Sequence, residues 1–79
     1  MKVKYKMQFL KYIYLDSDKE KERGIPVYRC IDVIMNVNKY DEIYTDKYIN
    51  KADDVAMKIL NDDDFHREIL PMIEVEVDE

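Results

Sequence analysis

Several residue types are scarce in this 79-residue chain, and each scarcity excludes a class of protein. The single cysteine, Cys30, excludes an internal disulfide framework and a multi-cysteine zinc site. Because a free thiol is typical of a reducing compartment, we expect a cytoplasmic protein. Lysines interrupt the opening residues, and no stretch approaches the ~20 apolar residues of a membrane span. We therefore expect neither secretion nor membrane insertion.

Residues that carry catalysis or metal binding are equally scarce. The single glycine excludes a phosphate-cradling glycine loop. His66 and Cys30 are the only residues of their types, and no flanking motif supports a catalytic pair between them. The aspartates at 62–64 lack the ligand spacing and the glycine turn of a divalent-metal loop. We expect no enzymatic activity, no cofactor and no metal site.

The residues that are present indicate a single folded domain over 1–79. Apolar side chains make up 47% of the chain, which is enough for a small and thin core. The formal net charge of −5 is unevenly distributed. Residues 1–40 carry nine basic and five acidic side chains, whereas residues 41–79 carry four basic and thirteen acidic ones. A thin core makes oligomerisation or partner binding a source of added stability.

Two β-strands are predicted in the first half of the chain. Polar and apolar residues alternate over 2–9, which is the pattern of a half-buried strand. A second β-rich run covers 25–37, after a charged loop that ends in glycine. An antiparallel hairpin centred near Glu20 would place Val3 opposite Val37. The same register places Lys11 opposite Arg29, so it predicts a bulge or an anionic partner for these cations.

The second half of the chain predicts one main helix and a closing strand. Thr45 or Asp46 provides a helix cap. The apolar residues at helical spacing are Tyr48, Ile49, Ala52, Val55, Ala56, Ile59 and Leu60. A brief strand at 42–44, a short helical turn over 65–70 and a last strand over 73–77 are also expected. The predicted fold class is α+β, a long antiparallel hairpin plus a C-terminal strand in sheet order 2-1-3, with the main helix on one face.

The C-terminal segment alternates apolar and acidic residues from Ile73 onward. In the 2-1-3 sheet its carboxylates share a face with lysines of the first strand. The two sets are Glu74, Glu76 and Asp78, and Lys2, Lys4 and Lys6. We expect an internal charge ladder, because opposite charges on neighbouring strands stabilise their pairing. The alternative is an exposed row of carboxylates, ~6.8 Å apart, that imitates a nucleic-acid backbone.

Two groups of residues are candidates for binding a partner. The first is an apolar, tyrosine-rich patch on the sheet face that the helix leaves uncovered, comprising Leu10, Tyr12, Tyr14 and Tyr28. In the predicted register Tyr12 faces Tyr28, and Leu10 faces Cys30. The second is an acidic cluster near the end of the helix, comprising Asp53, Asp54, Asp62, Asp63 and Asp64 together with Glu68. The alternatives are a patch covered by the 38–44 connection or by a curled hairpin, and aspartates that are merely solvated.

These features favour binding over chemistry. We expect a small acidic protein-binding module that regulates or inhibits another protein. One version is a phage or mobile-element inhibitor whose carboxylates occupy the basic groove of a nucleic-acid enzyme. The alternative is a structural subunit that forms a homodimer through the tyrosine-rich patch. The net negative charge disfavours direct binding of nucleic acid, although lysines and tyrosines are interspersed in the first strand.

Overall fold

The computed structural model describes residues 1–14 and 24–76. Its elements are strand β1 (Lys2–Ile13), strand β2 (Ile25–Asn36), a 3-10 turn (Tyr40–Glu42), helix α1 (Asp46–Leu60) and strand β3 (Met72–Glu76). The strands form an antiparallel sheet of order β2-β1-β3, and α1 packs on one face. The predicted α+β fold and 2-1-3 order are therefore confirmed. The predicted charged loop falls mostly outside the described residues, as do Val77 and Asp78.

The core lies between α1 and the sheet face that carries the odd-numbered residues of β1. Val3, Tyr5, Met7 and Phe9 are at most 1% exposed, because period-two alternation directs all four toward the helix. They pack against Val33, Val37, Ile43, Tyr48, Ile49, Ala52, Ala56 and Phe65. The buried face of α1 is narrower than predicted. Val55 and Ile59 lie on its flank and are exposed.

The backbone hydrogen bonds of β1 alternate between its two neighbours. The Met1 and Val37 backbones exchange two bonds of 2.9 Å, so odd-numbered residues of β1 bond to β2. Leu10 and His66 exchange bonds of 2.8 and 2.9 Å on the other side, so even-numbered residues bond toward β3. By the same alternation, even-numbered residues of β2 direct their N–H and C=O groups away from β1. Pro26, which has no N–H, occupies one of these outward positions.

The hairpin register differs by two residues from the predicted one. Val3 lies opposite Met35, and Val37 instead pairs with Met1. The predicted register is wrong. A shift of two residues keeps every side chain on its own face, so the hydrophobic alternation of the sequence fits both registers and could not select the observed one. A shift of one residue would have reversed the faces, and the sequence excludes it.

The observed register removes the like-charge pair of the predicted one. Lys11 and Arg29 no longer lie opposite each other. The Lys11 ammonium forms an ion pair with Asp62 and lies 4.8 Å from the centroid of the Phe65 ring. Lys11 therefore does have an anionic partner, and this partner holds the chain after α1 against the hairpin.

Two short elements differ from the prediction. A 3-10 turn occupies residues 40–42, where a brief strand was expected at 42–44. No helix forms over residues 65–70, and His66 instead forms an isolated bridge to β1. Asp62 Oδ1 accepts a hydrogen bond from the Asp64 nitrogen at 3.0 Å, so the aspartates do cap a turn. Phe65 is the only buried side chain of the segment, which is too little to hold a second helix against the sheet.

The long hairpin makes the molecule elongated. The Cα radius of gyration is 15.6 Å, against ~12 Å for a compact chain of this length. Each hairpin strand has 12 residues and is therefore ~40 Å long, whereas the 15-residue helix is ~22 Å long. The helix thus leaves one end of the hairpin uncovered. Among the described residues, no helix has the length and apolar character needed to cross a membrane.

Candidate protein-binding site

The uncovered end of the hairpin, residues 12–14 and 24–28, is called the hairpin arm. Its large side chains are apolar or aromatic and are well exposed. The exposed fractions are 42% for Tyr12, 42% for Ile13, 53% for Tyr14, 47% for Ile25 and 53% for Tyr28. Contiguous exposed apolar side chains mark interaction surfaces, and tyrosine is enriched at the centres of interfaces. The arm is therefore the leading candidate for a protein-binding site.

Three of the four residues predicted for the tyrosine-rich patch lie in the arm. Tyr12, Tyr14 and Tyr28 are exposed, whereas Leu10 is only 5% exposed. Leu10 is buried because the chain after α1 runs alongside it and shares its backbone hydrogen bonds. The predicted facing pairs are wrong, since Tyr12 lies opposite Pro26 and Leu10 lies opposite Tyr28. The corrected facing pairs follow from the two-residue shift in register.

The only glycine of the chain lies in the arm, against Tyr12 and Tyr14. Gly24 has a φ of +60°, a conformation that other residues rarely adopt. A Cβ atom at this position would lie 2.9 Å from Tyr12 Cβ and 3.0 Å from the ring of Tyr14. Any side chain would therefore displace a tyrosine, so Gly24 is what allows Tyr12 and Tyr14 to pack across the hairpin.

Two residues of the arm were missed by the sequence analysis. Ile13 and Ile25 have the parity of the helix-covered face, yet both are exposed. Their parity is correct, but α1 does not reach them. The signal that could have identified them is the difference in length between a ~40 Å strand and a ~22 Å helix.

A second apolar surface lies on the sheet face opposite α1. Residues 67–71 bulge away from the sheet, because five residues of this segment span only three residues of β1. The exposed apolar side chains here are Ile69, Leu70 and Met72, at 56%, 74% and 71%. They line an open pocket of about 340 Å³ together with Gln8 and Cys30. Cys30 lies opposite Gln8 rather than opposite Leu10 as predicted.

Internal ion pairs divide the predicted acidic cluster. The guanidinium of Arg67 donates two hydrogen bonds to the Asp53 carboxylate, at 2.8 and 3.1 Å. Asp62 pairs with Lys11. The hydrogen bond from Lys11, followed by the one from the Asp64 nitrogen, lowers the pKa of the Asp62 carboxyl. Asp53 and Asp62 are therefore used to hold the fold together.

The other three predicted aspartates are exposed. Asp63 and Asp64 lie in the turn after α1, and Asp54 lies within the helix. Glu68 lies 2.9 Å from the His66 ring. Within residues 1–14 and 24–76, no three His, Cys, Asp or Glu side chains are placed to hold a metal ion. The acidic surface open to a partner is thus smaller than the sequence indicated.

Lysines of β1 neutralise the C-terminal acidic row. Glu74 lies opposite Lys4, and Glu76 lies opposite Lys2. Lys6 Nζ lies 2.8 Å from Glu74 Oε1, and this hydrogen bond raises the pKa of Lys6 and lowers that of Glu74. For the described part of β3, the carboxylates form an internal ladder and not an unpaired row. Asp78, the third expected member, falls outside the described residues.

Comparison with known proteins adds no relative from which function could be transferred. No protein-family model matches the chain, and neither curated proteins nor solved structures give a match. Function is therefore inferred from the exposed surfaces of this molecule, among which the arm presents three tyrosines on one face and two isoleucines on the other.

Proposed function

We propose that this protein is a small binding module that engages a protein partner through its hairpin arm. The observation that carries the proposal is the joint exposure of Tyr12, Ile13, Tyr14, Ile25 and Tyr28 at the end of the hairpin. Burying half-exposed side chains of this size contributes on the order of 1–2 kcal/mol each, before the cost of association. Five such side chains together contribute about 5–10 kcal/mol, which is of the same order as the cost of association.

Regulation or inhibition of the partner is the role that this arrangement favours. The arm presents aromatic side chains on paired strands, and preorganised aromatic anchors lose little entropy on binding. An element that extends beyond the core can enter a groove of another protein and occupy it. The exposed free thiol of Cys30 supports a cytoplasmic location.

A second candidate is acidic mimicry, in which carboxylates occupy the basic groove of a nucleic-acid enzyme, as a phage inhibitor would. The net charge of −5 and the exposure of Asp54, Asp63 and Asp64 support it. The ion pairs made by Asp53 and Asp62 reduce the carboxylates that can face a partner. The hairpin arm is therefore the better-supported site.

Affinity capture with matched tyrosine variants tests the arm. The wild-type protein, a Tyr12→Asp, Tyr14→Asp variant and a Tyr40→Asp, Tyr44→Asp control are immobilised and exposed to cell extract. Tyr40 and Tyr44 are 59% and 61% exposed at the opposite end of the hairpin. We expect a protein that the wild type and the control retain and the arm variant loses. Equal retention by all three would refute the proposal, and circular dichroism checks that each variant is folded.

The same capture separates the two candidate functions. An Asp54→Lys, Asp63→Lys variant reverses two exposed charges and leaves the Lys11–Asp62 and Arg67–Asp53 pairs in place. If the arm is the site, this variant retains the partner. Loss of the partner with this variant alone, together with strong salt sensitivity, would favour acidic mimicry.

A further inference from the structure

The backbone of β2 has an unpaired edge. Even-numbered residues from Tyr28 to Asn36 direct their N–H and C=O groups away from β1, by the alternation that the Met1–Val37 bonds establish. Of these groups, the Tyr28 oxygen accepts a 2.9 Å hydrogen bond from the Arg29 guanidinium, which a second strand would have to replace. Within the described part of the chain, no strand pairs with this edge, because β2 is the outermost strand of the sheet. A ~40 Å strand that is open along one side is a template for another strand.

Most of the features that normally protect an edge strand lie at one end of β2. Pro26 lies in the arm, and Arg29 lies just after it. From Cys30 to Asn36 the only charged residue is Asp32. Asp32 lies opposite Lys6, whose ammonium is 2.8 Å from Glu74, so Lys6 offsets the charge of Asp32 only in part. From Val33 to Asn36 the edge carries no charge that would repel a second strand, and Asp32 is the one charge in its middle.

We propose that β2 pairs with β2 of a second copy of this chain, antiparallel and across a two-fold axis at Ile31. The two three-stranded sheets then join into one sheet of six strands. This interface uses the backbone edge of β2, whereas the proposed function uses the tips of the arm. Tyr28 belongs to both surfaces, so a dimer would cover part of the arm, but variants at Tyr12 and Tyr14 and at Ile34 test the two proposals separately.

The side chains of β2 are complementary to themselves in this arrangement. A two-fold axis at Ile31 places even-numbered residues of one copy opposite even-numbered residues of the other. The helix-covered faces of the two sheets therefore form one continuous face. Tyr28 then lies opposite Ile34 of the second copy, and these side chains are 53% and 58% exposed in the single chain. Such an aromatic and β-branched pair stabilises a sheet by ~0.2–1 kcal/mol, and the two-fold axis produces it twice. Arg29 lies opposite Val33, which keeps the two arginines apart. The two Asp32 carboxylates become diagonal neighbours, and their repulsion opposes the gain from the Tyr28–Ile34 pairs.

The helices also fit side by side on the joined sheet. α1 packs over β1 and β2, so the two helices would lie two strand spacings apart, or ~10 Å. This separation matches the usual distance of 8–10 Å between the axes of packed helices. The second copy therefore extends the sheet without displacing either helix.

Solution mass with matched lysine variants tests the interface. The mass of the full chain is measured by light scattering across a concentration series for the wild type, Ile34→Lys and Met72→Lys. Met72 is 71% exposed on the same sheet face but lies on β3. We expect a concentration-dependent dimer for the wild type and Met72→Lys, and association weakened by roughly 2- to 30-fold for Ile34→Lys. A wild type that is monomeric at every concentration would overturn the proposal.

Cross-linking of the native cysteine provides a second measurement that does not depend on a variant. In the proposed register, the Cys30 residues of the two copies are diagonal neighbours, ~7–8 Å apart. A short bis-maleimide should therefore link them in the wild type and in Met72→Lys, and much less in Ile34→Lys. A dimer that resists this linkage, or that is abolished by Tyr12→Asp, Tyr14→Asp and not by Ile34→Lys, would place the interface elsewhere and refute the β2 edge.

Discussion

The hydroxyl of Tyr5 is a polar group at the centre of an otherwise apolar core. Tyr5 is fully buried, and its hydroxyl donates a 2.7 Å hydrogen bond to the Ile43 carbonyl oxygen. Burial is the main cause of the raised pKa of this phenol. The bond ties β1 to the turn before α1. Among the described residues, no buried side-chain nitrogen or oxygen lacks a partner.

Removing this hydroxyl should cost stability without changing the fold. We expect Tyr5→Phe to lower the free energy of unfolding by ~1–3 kcal/mol, because the Ile43 oxygen loses its donor inside the core. Tyr44→Phe, at a tyrosine that is 61% exposed, is the control and should change it by less than ~0.5 kcal/mol. Urea unfolding measures both variants. Equal stability of Tyr5→Phe and wild type would show that the hydrogen bond contributes nothing net.

At the scale of elements, the way in which α1 ends determines where the acidic turn at 62–64 lies. Asn61 has a left-handed conformation with φ of 51°, and its N–H donates to the Met57 oxygen at 2.9 Å. This reversal directs the next residues back along β1, where Asp62 meets Lys11. The element predicted here as a second helical turn becomes instead a continuation of the sheet edge.

The stability of Asn61 variants should depend on how readily the new residue adopts the left-handed conformation. We expect Asn61→Val to destabilise the protein by ~1–2 kcal/mol, because a β-branched side chain is strained at positive φ. Asn61→Gly should be neutral or stabilising, since glycine adopts this conformation freely. Thermal or urea unfolding of the pair provides the measurement. A valine variant as stable as the glycine variant would contradict this role.

At the scale of the whole molecule, ion pairs connect segments that are distant in sequence. Lys11–Asp62 and Arg67–Asp53 hold the chain after α1 to the hairpin and to the helix, and Lys6–Glu74 links β1 to β3. Three of the thirteen acidic side chains of the second half, Asp53, Asp62 and Glu74, are thus matched within the fold. Basic residues are concentrated in the first half of the chain and acidic residues in the second, yet several of these charges are paired in the folded structure.

The pH dependence of stability should reveal the Asp62 pair. The pKa of Asp62 is lowered in the folded protein, so the unfolded state takes up the proton first as pH falls. This contribution is complete above the unfolded pKa of ~4 and is lost as pH falls through the lowered folded pKa. We expect Asp62→Asn to lower stability at pH 7 and to flatten its decrease on acidification.

Urea midpoints across an acidic pH series measure this effect, with Asp63→Asn as the control at the neighbouring exposed aspartate. The control should follow the wild-type curve. If Asp62→Asn also retains the full wild-type slope, the Lys11–Asp62 pair does not contribute to acid sensitivity.

Local patterns in the sequence determined the fold class, the strand order and the face on which each residue lies. Alternation over 2–9 and helical spacing from Tyr48 depend only on neighbouring residues, so they could be read without the structure. The exposed tyrosines Tyr12, Tyr14 and Tyr28 could be predicted for the same reason. Register was predicted only to within two residues, because both arrangements satisfy the same alternation.

Only the tertiary structure decided which candidate residues are open to a partner. Leu10 is buried and Asp62 is paired because the chain after α1 returns along β1, a contact between segments more than 50 positions apart. Ile13 is exposed because the helix ends before it can cover the arm. Local sequence specifies which face a side chain occupies, but coverage of that face depends on how far distant elements extend across it.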